Sequence, residues 1–189
     1  MIPFVYMIDE FFPDYEFELV QAYARNLTYG PVEAPFDHVT YPNISTAVPP
    51  VVLERLAHSM TWLLGYKVIP KYNAFRLSPR GSNPPQWAHS DAEVSRYAFF
   101  CYINPGPSAT VLLEHRATGM RTHPKTAEEL QAWQADYDNE DAWRAVGVFP
   151  GAPNRALVMQ SDLIHAAEPR QGYGEDTTDA RLILLSFFD

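Results

Sequence analysis

Apolar positions recur with a helical period twice near the start of the chain. After Pro13, Phe17, Val20, Tyr23, Ala24 and Leu27 follow the three-and-four spacing of a helix with one buried face. A second run covers Pro50 to Leu64, with Val52, Leu56, Met60 and Leu63 or Leu64 on one side. Gly65 stands just past it, where a helix end favours glycine. From Lys67 onward the period changes. "YNAFRL", "SRYAFFCYI", "ATVLLEH", "RALVMQ" and "RLILLSFF" are short runs rich in β-branched and aromatic residues, separated by turn formers. "SRYAFFCYI" is apolar on both faces, as a strand covered on both sides must be. The segment from Pro124 to Val146, "PKTAEELQAWQADYDNEDAWRAV", reads instead as a helical insertion that packs through Leu130 and Trp133.

Helices first and many strands afterwards predict a mainly β fold with helical cover, a barrel or double-sheet jelly roll of the double-stranded β-helix kind. One domain is expected over residues 1–189, with helical support over about 1–66 and the β core over about 67–189, interrupted by the insertion at about 124–146. The 17 prolines are spread along the chain and punctuate short segments, which suits strands better than a helix bundle.

Charge and cysteine content narrow the setting. Fourteen basic against 23 acidic residues give a net charge of −9, and no basic tract stands out. That argues against a general binder of nucleic acid or membrane surfaces. The one cysteine, Cys101, lies inside an apolar run and reads as a small core residue. It has no partner for a disulfide within the chain, so nothing calls for an oxidising compartment. The opening "IPFVYMIDEFF" lacks the basic leader of a signal peptide, and no apolar run approaches a membrane span. A cytoplasmic, reducing setting is expected.

The chemistry concentrates where "QWAHSD" meets the most apolar run. His89 and Asp91 stand two apart, and on a strand such residues point the same way, with Ser90 and Ala92 turned aside. A charge at the edge of a core needs a partner or a metal. Among the remaining histidines, His165 ends "NRALVMQSDLIH", directly after a buried strand, and is well placed to face a barrel mouth. His89, Asp91 and His165 make a two-histidine, one-carboxylate set, the arrangement that leaves open positions on iron(II). Arg181 opens the last strand on the face of Ile183, Leu185 and Phe187. An arginine facing inward requires an anion, and its planar fork suits a carboxylate.

This order, an H-x-D pair, a distal histidine and an arginine on the final strand, resembles the iron(II)- and 2-oxoglutarate-dependent oxygenases, most nearly their prolyl-hydroxylase-like branch. The likeness rests on "AHSD", "LLEHRATG", "NRALVMQSDLIHAAEP" and "ARLILLSFF", and covers about the last two-thirds of the chain. "FPDYEFELVQAYARN" is also similar to the helix that opens many of these domains. The resemblance implies iron(II) held by His89, Asp91 and His165, with 2-oxoglutarate as cosubstrate anchored by Arg181 and molecular oxygen as oxidant. The loop "RQGYGEDTTDA" before Arg181 is longer than is usual in the family, and Arg170 at its start is the second candidate anchor. Tyr72 is a candidate to help hold the cosubstrate. Arg76 would bind a substrate carboxylate or the cosubstrate, and Trp87, His115 and Arg116 would line the pocket or its entrance. The acidic insertion is a solvated cover or a substrate lid. With a carboxylate at Asp91, where related halogenases keep a small residue, the resemblance implies hydroxylation of a C–H bond in a small molecule or peptide residue, releasing succinate and carbon dioxide.

Two other readings use the same residues. A cupin-like zinc or manganese isomerase or hydrolase would employ much the same ligands without needing Arg181. A non-enzymatic jelly-roll binding module would keep His89 and Asp91 as a hydrogen-bonded pair with no metal.

Overall fold

A computed structural model describes residues 4–35, 38–82 and 86–189. The chain runs β1 (Val5–Ile8), α1 (Asp14–Arg25), β2 (Gly30–Glu33), β3 (Thr40–Ser45), α2 (Pro50–Leu64), β4 (Pro70–Ser78), β5 (Tyr97–Tyr102) and β6 (Ala109–His115). It continues with α3 (Ala127–Asp136), a 3₁₀ turn at Glu140–Ala142, β7 (Trp143–Pro150), β8 (Ala156–Gln160), β9 (His165–Glu168) and β10 (Arg181–Phe188).

Two antiparallel sheets face each other. The larger has seven strands in the order β1-β8-β5-β10-β4-β3-β2; the smaller has three, β7-β6-β9. Alternation sorts every core strand between two environments. On β10, Leu182, Leu184 and Phe188 pack outward under α1 and α2 with Phe75, Phe99 and Cys101. Leu185, Phe187 and partly buried Ile183 turn inward, between the sheets, with Ala74, Phe100, Leu112 and Met159. A third cluster lies behind the smaller sheet, where Val111, Leu113 and Ile164 meet Trp87, Trp143 and Trp133 of α3.

The helices follow local signals. α2 begins with Pro50 in its first turn and stops at Gly65, whose φ of 78° places it in the left-handed region that costs glycine nothing. α3 opens on a reciprocal capping box between Thr126 and Glu129.

Three expectations need correction. The insertion is helical only to Asp136, with a short turn to Ala142; Trp143–Pro150 is a strand. Its backbone is recruited by β6, with Leu113 opposite Ala145 and Val111 opposite Val148, so pairing overrides the helical pattern that precedes it. The N-terminal third is not helical support alone. β1 pairs with β8, and β2 and β3 extend the larger sheet beyond β4. His89 and Asp91 are not on a regular strand: His89 makes one isolated bridge to His165, and the chain then turns.

Candidate metal centre

His89 and His165 lie side by side because each donates its backbone N–H to the other's carbonyl, at 3.1 and 2.8 Å. Asp91 follows after the backbone N–H donates to the carbonyl of Ser161, 2.8 Å away. These long-range bonds do what a strand was expected to do. The three side chains offer ligand atoms that all lie within 4.8 Å of one another. Asp91 Oδ2 is 3.4 Å from His165 Nε2, and the two imidazole centroids are 4.3 Å apart.

Both rings are oriented the same way. Nδ1 of His89 lies 3.1 Å from the Trp87 carbonyl, and Nδ1 of His165 lies 3.0 Å from the Leu163 carbonyl. A ring that donates from Nδ1 to a carbonyl keeps its lone pair on Nε2, the tautomer that ligates a metal. Burial, followed by the adjacent His165, pulls the His89 pKa down to about 4, so this imidazole is neutral at physiological pH. Two imidazoles presenting Nε2 and one carboxylate suit iron(II), with zinc and manganese as chemically permitted alternatives.

Arg181 reaches the same cavity from the larger sheet. The cavity is lined by His89, His165, Arg76, Phe100, Tyr102, Thr110, Arg181 and Ile183 among others. Arg181 is 5% exposed. Its Nη2 donates to Ser78 Oγ at 3.1 Å and its Nη1 reaches the Pro169 carbonyl at 3.5 Å. Among the described residues it forms no ion pair, and Nε has no hydrogen-bond partner. The Ser108 and Tyr173 hydroxyls are also buried without a hydrogen-bond partner among the described residues; burial raises the Tyr173 pKa, and the Arg181 charge and then the Ser108 hydroxyl only partly offset this. Burial, then repulsion from Arg76, pulls the Arg181 guanidinium down to about 10, which leaves it charged at neutral pH. A buried cation beside a hydroxyl without a partner could receive an anion.

The other expected residues divide. Arg76 lines this cavity and a second cleft beside Asp91, bounded by Tyr41, Tyr72, Ile44, Leu185 and Phe187. Tyr72 faces only that second cleft, at the opposite end of β4 from Ser78, and so stands away from the Arg181 corner. Arg170 is engaged at the surface by Asp138 and Glu140, at 3.0 and 2.9 Å, and its positive charge already has partners. Trp87 does not wall the pocket. It is buried behind the smaller sheet, packed with Val111, Leu113 and Ile164. His115 is 1% exposed rather than at an entrance; it lies between Asp136 and Thr118 and packs on Trp143. Arg116 is exposed and donates to the Trp143 carbonyl. His115, at the end of β6 opposite Trp143, is thus held against α3.

Several residues of the site were not singled out from the sequence. Tyr102 and Thr110 join the two sheets through a 2.8 Å hydroxyl contact beside Arg181. Alternation carried the signal, since Tyr102 stands two after Phe100 and Thr110 two before Leu112. His123 lies 2.8 Å from Ser90 Oγ and edge-on to Trp133, in an outer vestibule shared with His89, Asp91 and Glu93. No local pattern marked it. Trp133 donates its indole N–H to the Ala88 carbonyl at 3.0 Å, tying the acidic helix to the residue before His89.

No protein-family model matches the chain, and no curated protein matches it by sequence. Solved structures do match along nearly its whole length. EctD from S. alaskensis, solved with bound Fe, covers 99% of this chain and 73% of its own at a TM-score of 0.56 and 17% identity. The non-heme alpha-ketoglutarate-dependent carbocyclase SnoK from nogalamycin biosynthesis superposes with a TM-score of 0.60 at 12% identity, over 98% of this chain and 79% of its own. A 2OG-Fe(II) oxygenase-family oxidoreductase from Burkholderia pseudomallei gives 0.57 at 14% identity, over 98% and 84%. The chain has the fold of the iron(II)- and 2-oxoglutarate-dependent oxygenases. At these identities the likeness is one of architecture, and it does not single out the prolyl-hydroxylase-like branch. Among the described residues no helix is long and apolar enough to cross a membrane.

Proposed function

We propose that the chain is an iron(II)- and 2-oxoglutarate-dependent oxygenase that hydroxylates a C–H bond of a small molecule or peptide residue. The observation that carries this reading is Arg181: a buried, unpaired guanidinium on the cavity that also receives His89 and His165. Only a ligand bringing an anion resolves it. His89, Asp91 and His165 would hold iron(II) through Nε2, a carboxylate oxygen and Nε2. Arg181, Ser78 and the orphaned Ser108 and Tyr173 hydroxyls would receive the far carboxylate of 2-oxoglutarate. Iron(II) with 2-oxoglutarate and oxygen supplies oxidative decarboxylation to succinate and carbon dioxide, coupled to oxidation of the substrate. Phe100 and Ile183 line the same cavity and limit water there. Asp91, as a third protein ligand, favours hydroxylation over chlorination. A reducing, cytoplasmic setting suits both iron(II) and the buried free thiol of Cys101.

The zinc or manganese cupin reading would use the same three ligands but leave Arg181 unexplained. The deciding experiment is anaerobic titration of the protein with iron(II) and then 2-oxoglutarate. A weak visible charge-transfer band, lost in Arg181→Met at the same cosubstrate concentration, is the expected result. Metal binding without any such band would favour the cupin.

A further inference from the structure

The second cleft says something about the substrate, given the oxygenase reading on which this inference rests. Arg76 projects from β4 on the register of Ile183 in β10, so its side chain enters between the sheets. Its guanidinium lies over the face of the Tyr41 ring, 5.5 Å from the centroid, and among the described residues it forms no ion pair with a carboxylate. Burial lowers its pKa, and the fields of Tyr41 and Asp91 only partly offset that.

Charge is unbalanced around it. The side chains lining the two clefts carry two positive charges, Arg76 and Arg181, against one negative, Asp91. Iron(II) adds two positive charges and 2-oxoglutarate two negative ones, so one positive charge stays uncompensated. Glu168 acts on Arg181 from outside the lining, and exposed Glu93 sits in the outer vestibule. Neither pairs with Arg76. The rest of the cleft wall is Ile44, Leu185, Phe187, Tyr41 and Tyr72, which is aliphatic and aromatic.

We infer that the substrate is a small monocarboxylate with an apolar body, and that Arg76 receives its carboxylate beside Asp91. The guanidinium fork matches a carboxylate in two parallel hydrogen bonds. The apolar body then lies along Tyr72, Leu185 and Phe187. A free acid and the C-terminus of a peptide offer the same chemistry.

The test uses the full chain loaded with manganese(II) and 2-oxoglutarate, with binding read by calorimetry. The probes are hexanoate, 3-phenylpropionate and N-acetylphenylalanine, each beside its primary amide; the last stands for a peptide C-terminus. An acid should bind roughly 30-fold or more tightly than its amide, as for loss of one side of a buried charge pair. Arg76→Gln should erase that difference while leaving manganese(II) and 2-oxoglutarate affinity within about 3-fold. Arg76→Lys should recover part of it, because a point charge keeps attraction but not the fork. Arg76→Gln should also melt no lower than the unaltered protein, since it removes an unpaired charge from the interior. The inference is overturned if acids and amides bind alike, if none of the acids binds, or if Arg76→Gln weakens 2-oxoglutarate as much as Arg181→Met does. If manganese(II) and 2-oxoglutarate themselves fail to bind, the oxygenase reading falls, and the acid–amide comparison on metal-free protein decides the anion site alone.

Discussion

His89 and His165, from opposite halves of the chain, are cross-linked by a reciprocal pair of backbone hydrogen bonds, and their imidazoles stand 4.3 Å apart. The bridge uses main-chain atoms only, so it survives side-chain removal. His89→Ala or His165→Ala should therefore abolish stoichiometric metal while the far-ultraviolet circular dichroism is unchanged. Metal content by elemental analysis checks this, and unaltered content in both variants would refute the assignment.

Arg181→Met should weaken 2-oxoglutarate by about 2–4 kcal/mol, roughly 30- to 1000-fold, the cost of truncating one side of a buried charge pair. Metal affinity should hold, because Arg181 is not a ligand. Arg170→Met is the control. Its guanidinium is spent on Asp138 and Glu140, so cosubstrate binding should not move. The reverse pattern in equilibrium titrations would make Arg170 the anchor.

Succinate formation should be indifferent to chloride, because Asp91 as the proposed third ligand would occupy the place a halide needs. Turnover assayed in chloride and in acetate buffers should match. Chloride-dependent turnover or a chlorinated product would count against the role given to Asp91.

Gly172 has a φ of +66°, and a Cβ there would lie 2.3 Å from the Ser78 carbonyl oxygen and 2.5 Å from that of Pro79. Gly172→Ala should cost about 1–3 kcal/mol in urea unfolding, the scale of a strained backbone position. It should also weaken 2-oxoglutarate, since the end of β4 that must yield carries the serine bound to Arg181. Wild-type stability in this variant would show that the loop relaxes freely.

Local pattern made some of this legible. In "RLILLSFF" the apolar residues on both faces force burial, and alternation alone sets Arg181 with Ile183, Leu185 and Phe187. Pro50 and Gly65 bound α2 to the residue. What pattern could not supply was pairing at a distance. Trp143–Pro150 is a half-exposed edge strand whose hydrogen bonds come from β6, and the sequence before it is helical. The convergence of His89, Asp91 and His165 depends on bonds to His165 and Ser161, which no window around residue 89 contains. Trp87 and His115 were misassigned because proximity to a motif says nothing about which side of a sheet a residue takes. Both face the cluster behind the smaller sheet or the underside of α3.

The two ends of the cavity between His165 and Arg181 belong to different sheets. Arg181 stands on β10, between β5 and β4 in the larger one; His165 opens β9 in the smaller, opposite Leu112. Packed sheets keep a spacing near ~10 Å that side-chain motion does not alter. With 2-oxoglutarate bridging the two as proposed, the frame would gauge ligand length. Oxaloacetate, one carbon shorter than 2-oxoglutarate, would fall short of the guanidinium, and 2-oxoadipate, one longer, would have to push apart two layers. Each should bind roughly 10-fold or more weakly in competition, the usual worth of one methylene in a fitted site. Selectivity of this kind is a property of the frame, and loop substitutions around the mouth should leave it unchanged.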